Sequence, residues 1–479
     1  MSPTAIDPRF AAPDAGPTAD VSPEAAAARK RLLTVLFVGV FMAALDAAVI
    51  APAIPALRSA FGVDNRQIAL VTIVFSLCSL TSTALMAALS DRFGRRTIYL
   101  MDIAGFALGS LIIAKSSSFG VLLLGRAIQG LSAGGITPTA SAVVGDTFPP
   151  DQRGRILGLI GATFGMAFLF GPILASILLV VATWHWIFLV NLPFAAIVFV
   201  MGYRALPRVA RPPQLPPFDH LGITLLALAL ASLTLGINRA VDTLTGLTLW
   251  PWLLLTVAVA VPLLVAVERR AAQPIVPLSL FGPTQLRTTW VLCTGAGFGM
   301  GSVIFISSVA VAAFGTLPSK AGLLLLPLVL CSSVASAVFG RLQNALGPRT
   351  IMLSGFGTLA IGSLLIGLAA PVFWVFIVAT LFIGAGVGIV VGGTLRTVVL
   401  DEVGAAQRTS AQALVNIGIA IGNLMVVAVL SALADRAGGG LPGLQTAYLA
   451  ATVVMVVMML VSLRLKASRA TAPSAPAVA

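Results

Sequence analysis

The chain has 479 residues, 58% hydrophobic and 9% charged, with a formal net charge of +13 and a mean hydropathy of +1.04. Soluble domains carry roughly a quarter of their residues as Asp, Glu, Lys and Arg. So few charges cannot cover a water-facing surface, and the chain reads as an all-α polytopic membrane protein. The basic excess does not indicate nucleic acid, because Lys and Arg sit in short connections between apolar runs.

The opening 28 residues are rich in Pro, Ala and Asp and lack periodicity, so 1–31 is expected to be a disordered tail. It contains no apolar core of a cleaved signal peptide, and the first membrane helix would then act as an uncleaved insertion signal. A helix needs about 20 apolar residues to cross the hydrocarbon core. On that criterion the first six spans fall near 32–57, 67–89, 97–115, 121–148, 154–181 and 185–206. Two more lie near 218–238 and 248–268. The last six lie near 287–315, 319–342, 349–369, 372–399, 407–435 and 443–466, and 467–479 is expected to be a second disordered tail. Cys78, Cys293 and Cys331 all fall inside apolar runs, with no disulfide or metal spacing.

Charge bias sets the sidedness of these fourteen spans. Most of the 29 Lys and Arg, including Arg29, Arg31, Arg92, Arg95, Arg96, Arg153, Arg349, Arg408 and Arg464, lie in connections on one side. Only Arg58, Arg66, Lys115, Arg239, Lys320 and Arg436 lie on the other, and Arg126 is within a span. That split puts both termini in the cytoplasm of a cell or inner membrane, and an even number of spans requires the same.

Between spans 2 and 3 the chain reads ALSDRFGRRT, and between spans 10 and 11 it reads GRLQNALGPRT. Aligned on Gly94 and Gly347, both place a basic residue two positions later. The chain thus divides into two halves of six helices, 32–206 and 287–466, with 207–286 as a linker carrying two extra membrane helices. Such repeats are the pattern of secondary transporters, whose substrate site lies at the midplane between halves.

With these motifs the sequence resembles the major facilitator superfamily, in its fourteen-helix drug:proton antiporter (DHA2-type) branch. SDRFGRR is similar to the superfamily's loop motif, with Asp91, Arg92, Gly94, Arg95 and Arg96 in place and Ala87 where its first glycine is usual. LLLGRAIQGLSAG resembles the fourth-helix motif through Arg126, Gln129, Gly130 and Ala133. FGPILAS resembles the fifth-helix antiporter motif, with Gly171 and Pro172 intact but Ala167 and Ala175 where glycine is usual. LDAAVIAPAIPAL, WHWIFLVNLP and ERRAAQPIVPLSLF resemble the first-helix motif, the start of helix 6 and the entry to helix 7. The resemblance implies a major facilitator fold of two six-helix bundles plus two inserted helices. It also implies a proton-coupled exporter of lipophilic small molecules, a multidrug efflux antiporter of the kind that gives antibiotic resistance.

Asp91, Arg95 and Asp146 can form a charged cluster at the cytoplasmic end. The family implies that this latch, Asp91, Arg92, Gly94, Arg95, Arg96 and Asp146, holds that side shut; the alternative is that the arginines merely anchor topology, to which Asp91 would add nothing. The second half has Asn344 where the acid would be, so a latch there is weaker. Arg126, Gln129, Gly130 and Ala133 fall at i, i+3, i+4 and i+7 and share one face, which should line a wet cavity or meet another helix. Gly158, Gly161 and Gly165 allow close helix contact. For Gly171 and Pro172 the resemblance implies an element that restricts leak, with plain packing as the alternative. Gln412, Asn416 and Asn423 lie within about 40° on a helical wheel, suited to substrate or to interhelical hydrogen bonds, while Gly418 and Gly422 form a small-xxx-small pair. Arg396 is expected to snorkel or gate rather than to bind cargo.

Asp46 is the costly residue. Helix 1 places it roughly 21 Å from the cytoplasmic surface, and Arg126 lies about 8 Å below the outer one at 1.5 Å per residue. A long Arg side chain spans the difference, and the pair would be tolerable where either charge alone would not. Burial disfavours a carboxylate's charge and a nearby guanidinium favours it, so rocking of the bundles would change both influences. Asp46 is therefore the candidate coupling carboxylate with Arg126, the alternative being a structural ion pair. Asp46, Arg126, Gln129, Gln412 and Asn416 are the candidate substrate-cavity residues. Asp102 is expected to join the cytoplasmic cluster.

No cofactor is expected; the proton is the coupling ion. Expected partners are a lipophilic small molecule or lipid, protons and membrane lipids, with no nucleic acid and a monomeric chain. His185 and His220 lie at span ends and far apart in sequence, no metal or paired-acid constellation is present, and an enzyme is not expected. A lipid or glycolipid exporter of the same fold is the alternative reading. A sugar importer fits less well, since few amides and aromatics face the expected cavity.

Overall fold

A chain this poor in charge can satisfy its backbone inside a bilayer only as helices or a closed barrel, and the described residues form helices, with no strand among them. The computed structural model describes residues 23–63, 65–207, 219–238, 248–271, 274, 276–315 and 322–467. The first half contains α1 (Pro23–Phe61), α2 (Asn65–Phe93), α3 (Arg95–Ala114), α4 (Phe119–Thr147), α5 (Pro150–Val181), α6 (His185–Leu189) and α7 (Asn191–Ala205). The inserted pair is α8 (His220–Asn238) and α9 (Trp250–Glu268). The second half contains α10 (Thr284–Ser302), α11 (Ile304–Phe314), α12 (Leu326–Ala369), α13 (Phe373–Val391), α14 (Thr394–Glu402), α15 (Arg408–Arg436) and α16 (Gly440–Ser462).

Twelve segments among the described residues are long and apolar enough to cross a membrane. One of them, α12, bends back at Gly347 (φ 73°) and so holds two successive segments. The 32-residue α5 stands outside the twelve. Fourteen spans are compatible with this arrangement. The expected tail 1–31 needs correction: residues 1–22 lie outside the described residues, but 23–31 are helical and continuous with span 1. The segment EAAAARKR consists of strong helix formers, and extending an existing helix avoids the cost of nucleation. The tail at 467–479 lies outside the described residues from 468 onward.

The two aligned hairpins share one backbone device. Gly94 (φ 93°) separates α2 from α3 and Gly347 (φ 73°) breaks α12. Both sit in the region that glycine alone enters without a steric cost. Each half carries its own core. One apolar cluster is drawn from Leu280 to Leu465; two others come from the first half, with Leu400 of α14 joining one of them. The inserted helices pack on each other, and α8 lies against α2 and α15, burying Leu225 and Leu230 with Leu80 and Ile417.

The halves meet most closely along α5 and α12. Gly158 and Gly340 face each other, and a Cβ on Gly158 would stand 2.8 Å from both Gly340 Cα and Ser336 O. Ser336 Oγ donates to the Gly158 carbonyl at 2.9 Å. Gly154, Gly161 and Gly165 continue the stripe against Gln343, Ser336 and Ser333. Span 12 is interrupted at Gly392–Gly393 against the same stripe: a Cβ on Gly393 would meet Gly158 N at 2.6 Å.

Backbone atoms cannot move aside there as a flexible side chain can. Gly158→Val is therefore expected to cost about 1–3 kcal/mol, the range for overpacking. Gly120→Ala, where a Cβ meets nothing within 4 Å, should be neutral. Thermal unfolding of both variants in detergent checks this; equal midpoints would show that the crossing is loose.

A buried acid–guanidinium network and a charged latch

Asp46 of α1 and Arg126 of α4 meet inside the first bundle. Arg126 Nη1 donates to Asp46 Oδ2 at 2.6 Å and to Gln129 Oε1 at 2.8 Å, and its Nε donates to the Val71 carbonyl at 3.1 Å. The guanidinium lies 4.2 Å from the ring centre of Phe75, a geometry that adds cation–π attraction. Asp46 Oδ1 accepts from Gln129 Nε2 at 3.2 Å and from Asn191 Nδ2 at 2.9 Å. Both amides also donate to Ser110 Oγ, at 2.7 and 3.2 Å. Asp46, Gln129 and Ser110 are fully buried, and Arg126 and Asn191 are 1% exposed.

Small residues bring these helices close enough for short side chains to meet. A Cβ on Gly109 would lie 2.8 Å from Gln129 N, and one on Gly125 would lie 2.9 Å from Gly109 O; this approach carries Ser110 to Gln129. Gly130 seats on the backbone of α2 at Phe75. Gly171 of α5 rests on Ala48, two residues beyond Asp46, where a Cβ would come within 2.5 Å of the Ala48 Cβ. Pro172 follows it within the same helix. The break between α6 and α7 delivers Asn191 to the network.

Asp46, Arg126 and Gln129 were expected to line a cavity. In this conformation they are sealed, because Asn191 and Ser110 supply the polar partners that water would otherwise provide. Both partners sit alone among apolar residues; the amide within WHWIFLVNLP was the only signal for Asn191.

Gln412 and Asn416 form a different cluster, around Arg396 of α14. Arg396 Nη2 donates to Asn416 Oδ1 at 2.6 Å, and Gln412 Nε2 donates to the Arg396 carbonyl at 2.9 Å. The expectation that Arg396 snorkels is thus overturned. It is 7% exposed, because the interruption at Gly392–Gly393 lets α14 carry it inward. Asn423 lies apart, beside Gly301. Gly418 and Gly422 pack on α10 at Cys293 and Thr294.

At the Arg-rich end Asp91, Arg95 and Asp146 come together and reach across to α15. Arg95 Nη1 donates to Asp91 Oδ1 at 2.9 Å, and its Nε donates to Asp146. Arg95 also donates to Thr409 Oγ1 and, at 2.9 Å, to the Ala405 carbonyl. Arg408 Nη1 donates to Asp146 Oδ1 at 2.7 Å. The Ser410 hydroxyl donates to Asp91 Oδ2 at 3.0 Å. Arg408, Thr409 and Ser410 could not be assigned to the latch from sequence, since span patterns do not say which helix ends face one another.

One latch arginine lies elsewhere. Arg96 stacks 4.4 Å from the ring centre of Tyr203 in a groove between α3 and α7, on the side of α3 away from Arg95. Arg92 is half-buried beside Phe93. Asp102 does not join the cluster: it is 2% exposed, and its Oδ2 is pressed against Gly135 with no hydrogen-bond partner among the described residues.

The chain matches the family model of the Major Facilitator Superfamily over residues 36–286 and 289–478. It is 32% identical over 413 residues to the uncharacterized MFS-type transporter YfiU of Bacillus subtilis, covering 83% of this chain and 77% of that protein. It is 27% identical to multidrug resistance protein 3 of the same organism, over 72% of this chain and 67% of that relative. The crystal structure of the human organic anion transporter MFSD10 (TETRAN) superposes with a TM-score of 0.68 at 19% identity. That match covers 90% of this chain and 99% of the other, and is a likeness of fold.

Breaking one member of a buried ion pair leaves the other charge uncompensated, at about 3–5 kcal/mol. Asp46→Asn and Arg126→Gln should each destabilise the protein by that order. The double variant should cost less than the sum, and a denaturation cycle in detergent measures the difference; additivity would show an uncoupled pair.

Proposed function

The chain belongs to the major facilitator superfamily, and we propose that this transporter exports lipophilic small molecules in exchange for protons by alternating access. It is a transporter and not an enzyme. In this reading it lies in the cell or inner membrane with both termini cytoplasmic, which makes the Arg-rich end the cytoplasmic one. The buried Asp46–Arg126 pair carries the proposal. An acid kept at bilayer depth, with a guanidinium as its ionic partner, is the kind of group whose charge a conformational change can switch. The relative's name, multidrug resistance protein 3, supports the cargo class.

The geometry suggests how exchange would run. With Asp46 ionised, α1, α4 and α7 are cross-linked through one carboxylate, and α3 joins through Ser110 and the two amides. A proton on Asp46 removes the ion pair with Arg126 and frees the bundle to relax. The latch of Arg95, Arg408, Asp91 and Asp146 closes the cytoplasmic end in this conformation, so protonation from outside and cargo entry from inside belong to different states. One charge moved across 100 mV corresponds to about 2.3 kcal/mol, which supports appreciable accumulation.

Liposomes with an imposed pH gradient test the coupling. Asp46→Asn, compared per mole of folded protein, should lose gradient-driven accumulation while retaining downhill exchange of the same dye. A variant that concentrates cargo as well as the parent would refute the coupling role.

Asp146→Asn removes the acid shared by Arg95 and Arg408 and leaves two cations facing each other. It should favour the cytoplasm-open state. In a background free of other cysteines, a membrane-impermeant maleimide applied to that face should label Ser141→Cys faster when Asp146 is neutralised. An unchanged labelling rate would mean that the latch does not control access.

A further inference from the structure

The arginines that join the two halves or anchor the network have carboxylates: Arg126 has Asp46, Arg95 has Asp91 and Asp146, Arg408 has Asp146, and Arg153 has Asp401. Arg396 is as deeply enclosed, and among the described residues no carboxylate is ion-paired or hydrogen-bonded to it. Its one short side-chain contact is with the neutral Asn416 amide; Gln412 Oε1 and Ser141 Oγ stand at 3.5 Å, the weak limit of a hydrogen bond. A guanidinium stays protonated in proteins, so it cannot escape the cost of burial by becoming neutral.

Its position gives this missing counter-charge a use. Arg396 belongs to the second half, yet Ser141, on its far side, belongs to α4 of the first. It therefore lies on the seam that rocking of the bundles would open, behind the latch. The interruption at Gly392–Gly393, wedged against Gly158 and Gly161, fixes α14 at that seam. Gln412 and Asn416 come from α15, the helix whose first turn closes the latch, so the latch and the amides around Arg396 would move together.

We propose that Arg396 is a cargo-binding cation, and that the cargo is an amphiphile carrying one anionic head, a carboxylate, sulfonate or phosphate. When the cytoplasmic end opens, that head supplies the counter-charge the fold omits and displaces the Asn416, Gln412 and Ser141 oxygens that now face the guanidinium. This deepens the exporter reading, on which it rests, by naming the cargo class. The interior-negative potential of a cell would itself favour outward movement of such an anion.

The test uses the purified full-length chain in detergent, with three fluorescent probes read without a gradient: an anilinonaphthalene sulfonate, a rhodamine cation and a labelled phosphatidylglycerol. Arg396→Gln should weaken sulfonate binding by at least about tenfold, the loss expected for a charge-assisted hydrogen bond. Rhodamine binding should stay within about twofold, and Arg396→Lys should retain most of the sulfonate affinity because it keeps the charge. An Arg396-dependent loss confined to phosphatidylglycerol would support the site with a lipid headgroup as its anion. Equal losses for sulfonate and rhodamine, or none for either anionic probe, would overturn the proposal. Should Arg396→Gln not elute as a monodisperse species, Asn416→Ala, which removes the competing amide and keeps the cation, decides. Tighter sulfonate binding is then expected, and unchanged or weaker binding overturns the proposal. Because binding is read without a gradient, failure of proton-driven accumulation leaves these measurements standing. Loss of anion preference, in turn, leaves the exchange reading standing.

Discussion

A bilayer offers no water to a charge, so an ionised group held inside the bundles is costly until it finds a partner there. The Asp46–Arg126 contact answers that constraint, and much of the first bundle is arranged around it. Arg126 is gripped by α1 through Asp46, by α2 through Val71 and Phe75, and by its own helix through Gln129. Asn191 ties α7 to the same carboxylate directly, and Ser110 of α3 accepts from the Gln129 and Asn191 amides that hold it. The glycines at 109, 125, 130 and 171 follow from it, since amide and hydroxyl groups only a few atoms long cannot meet unless the backbones nearly touch. A purely apolar bundle would not need such close approach at that level.

The interface between the bundles is built differently at its two levels. Along α5 and α12 it is a stripe of glycine and serine, where backbones touch and little side-chain interdigitation resists rotation. At the Arg-rich end it is ionic, with Asp146 shared by arginines from both halves. A glycine seam acts as a fulcrum because its contacts survive small changes of angle. A charged cluster would act as a catch in the proposed exchange, because its directional bonds do not survive such changes and water entering a parted end would compensate the broken pairs.

Much of the fold was legible in the sequence because hydropathy is a one-dimensional signal and the bilayer reads it directly. The hairpin repeat was legible because only glycine tolerates the φ of 93° and 73° at Gly94 and Gly347. The pairing of Asp46 with Arg126 could be anticipated from depth along two helices. What depth cannot supply is the rotation of each helix. That is why the pattern does not place Ser110 and Asn191 in the network, why it does not separate Arg96 from Arg95 although they lie on different faces of α3, and why it does not bring Arg408, Thr409 and Ser410 to the charged cluster. The start of α1 at Pro23 escaped for another reason: an Ala-rich segment reads as tail by composition and as helix by propensity, and continuity with span 1 decides.

The two bundles share a hairpin repeat but have not kept the same charges inside. The first encloses an acid with its guanidinium, the pair that the proposed exchange would open with one proton. The second encloses a guanidinium with two amides, a group that no proton can neutralise and only an incoming anion can. A single bundle holding both functions would place cargo and proton in direct competition for one ion pair. On the proposed reading, separating them puts the proton-dependent contact on helices that meet within one bundle, and the anion-binding contact on the face where the bundles would part. Coupling would then run through the shared motion, because Ser141 and Asp146 lie on the same helix as Arg126, while Arg408 and Asn416 lie together on the helix facing it. A rotation of α4 that follows protonation of Asp46 would move one side of the Arg396 seam and one side of the latch at once.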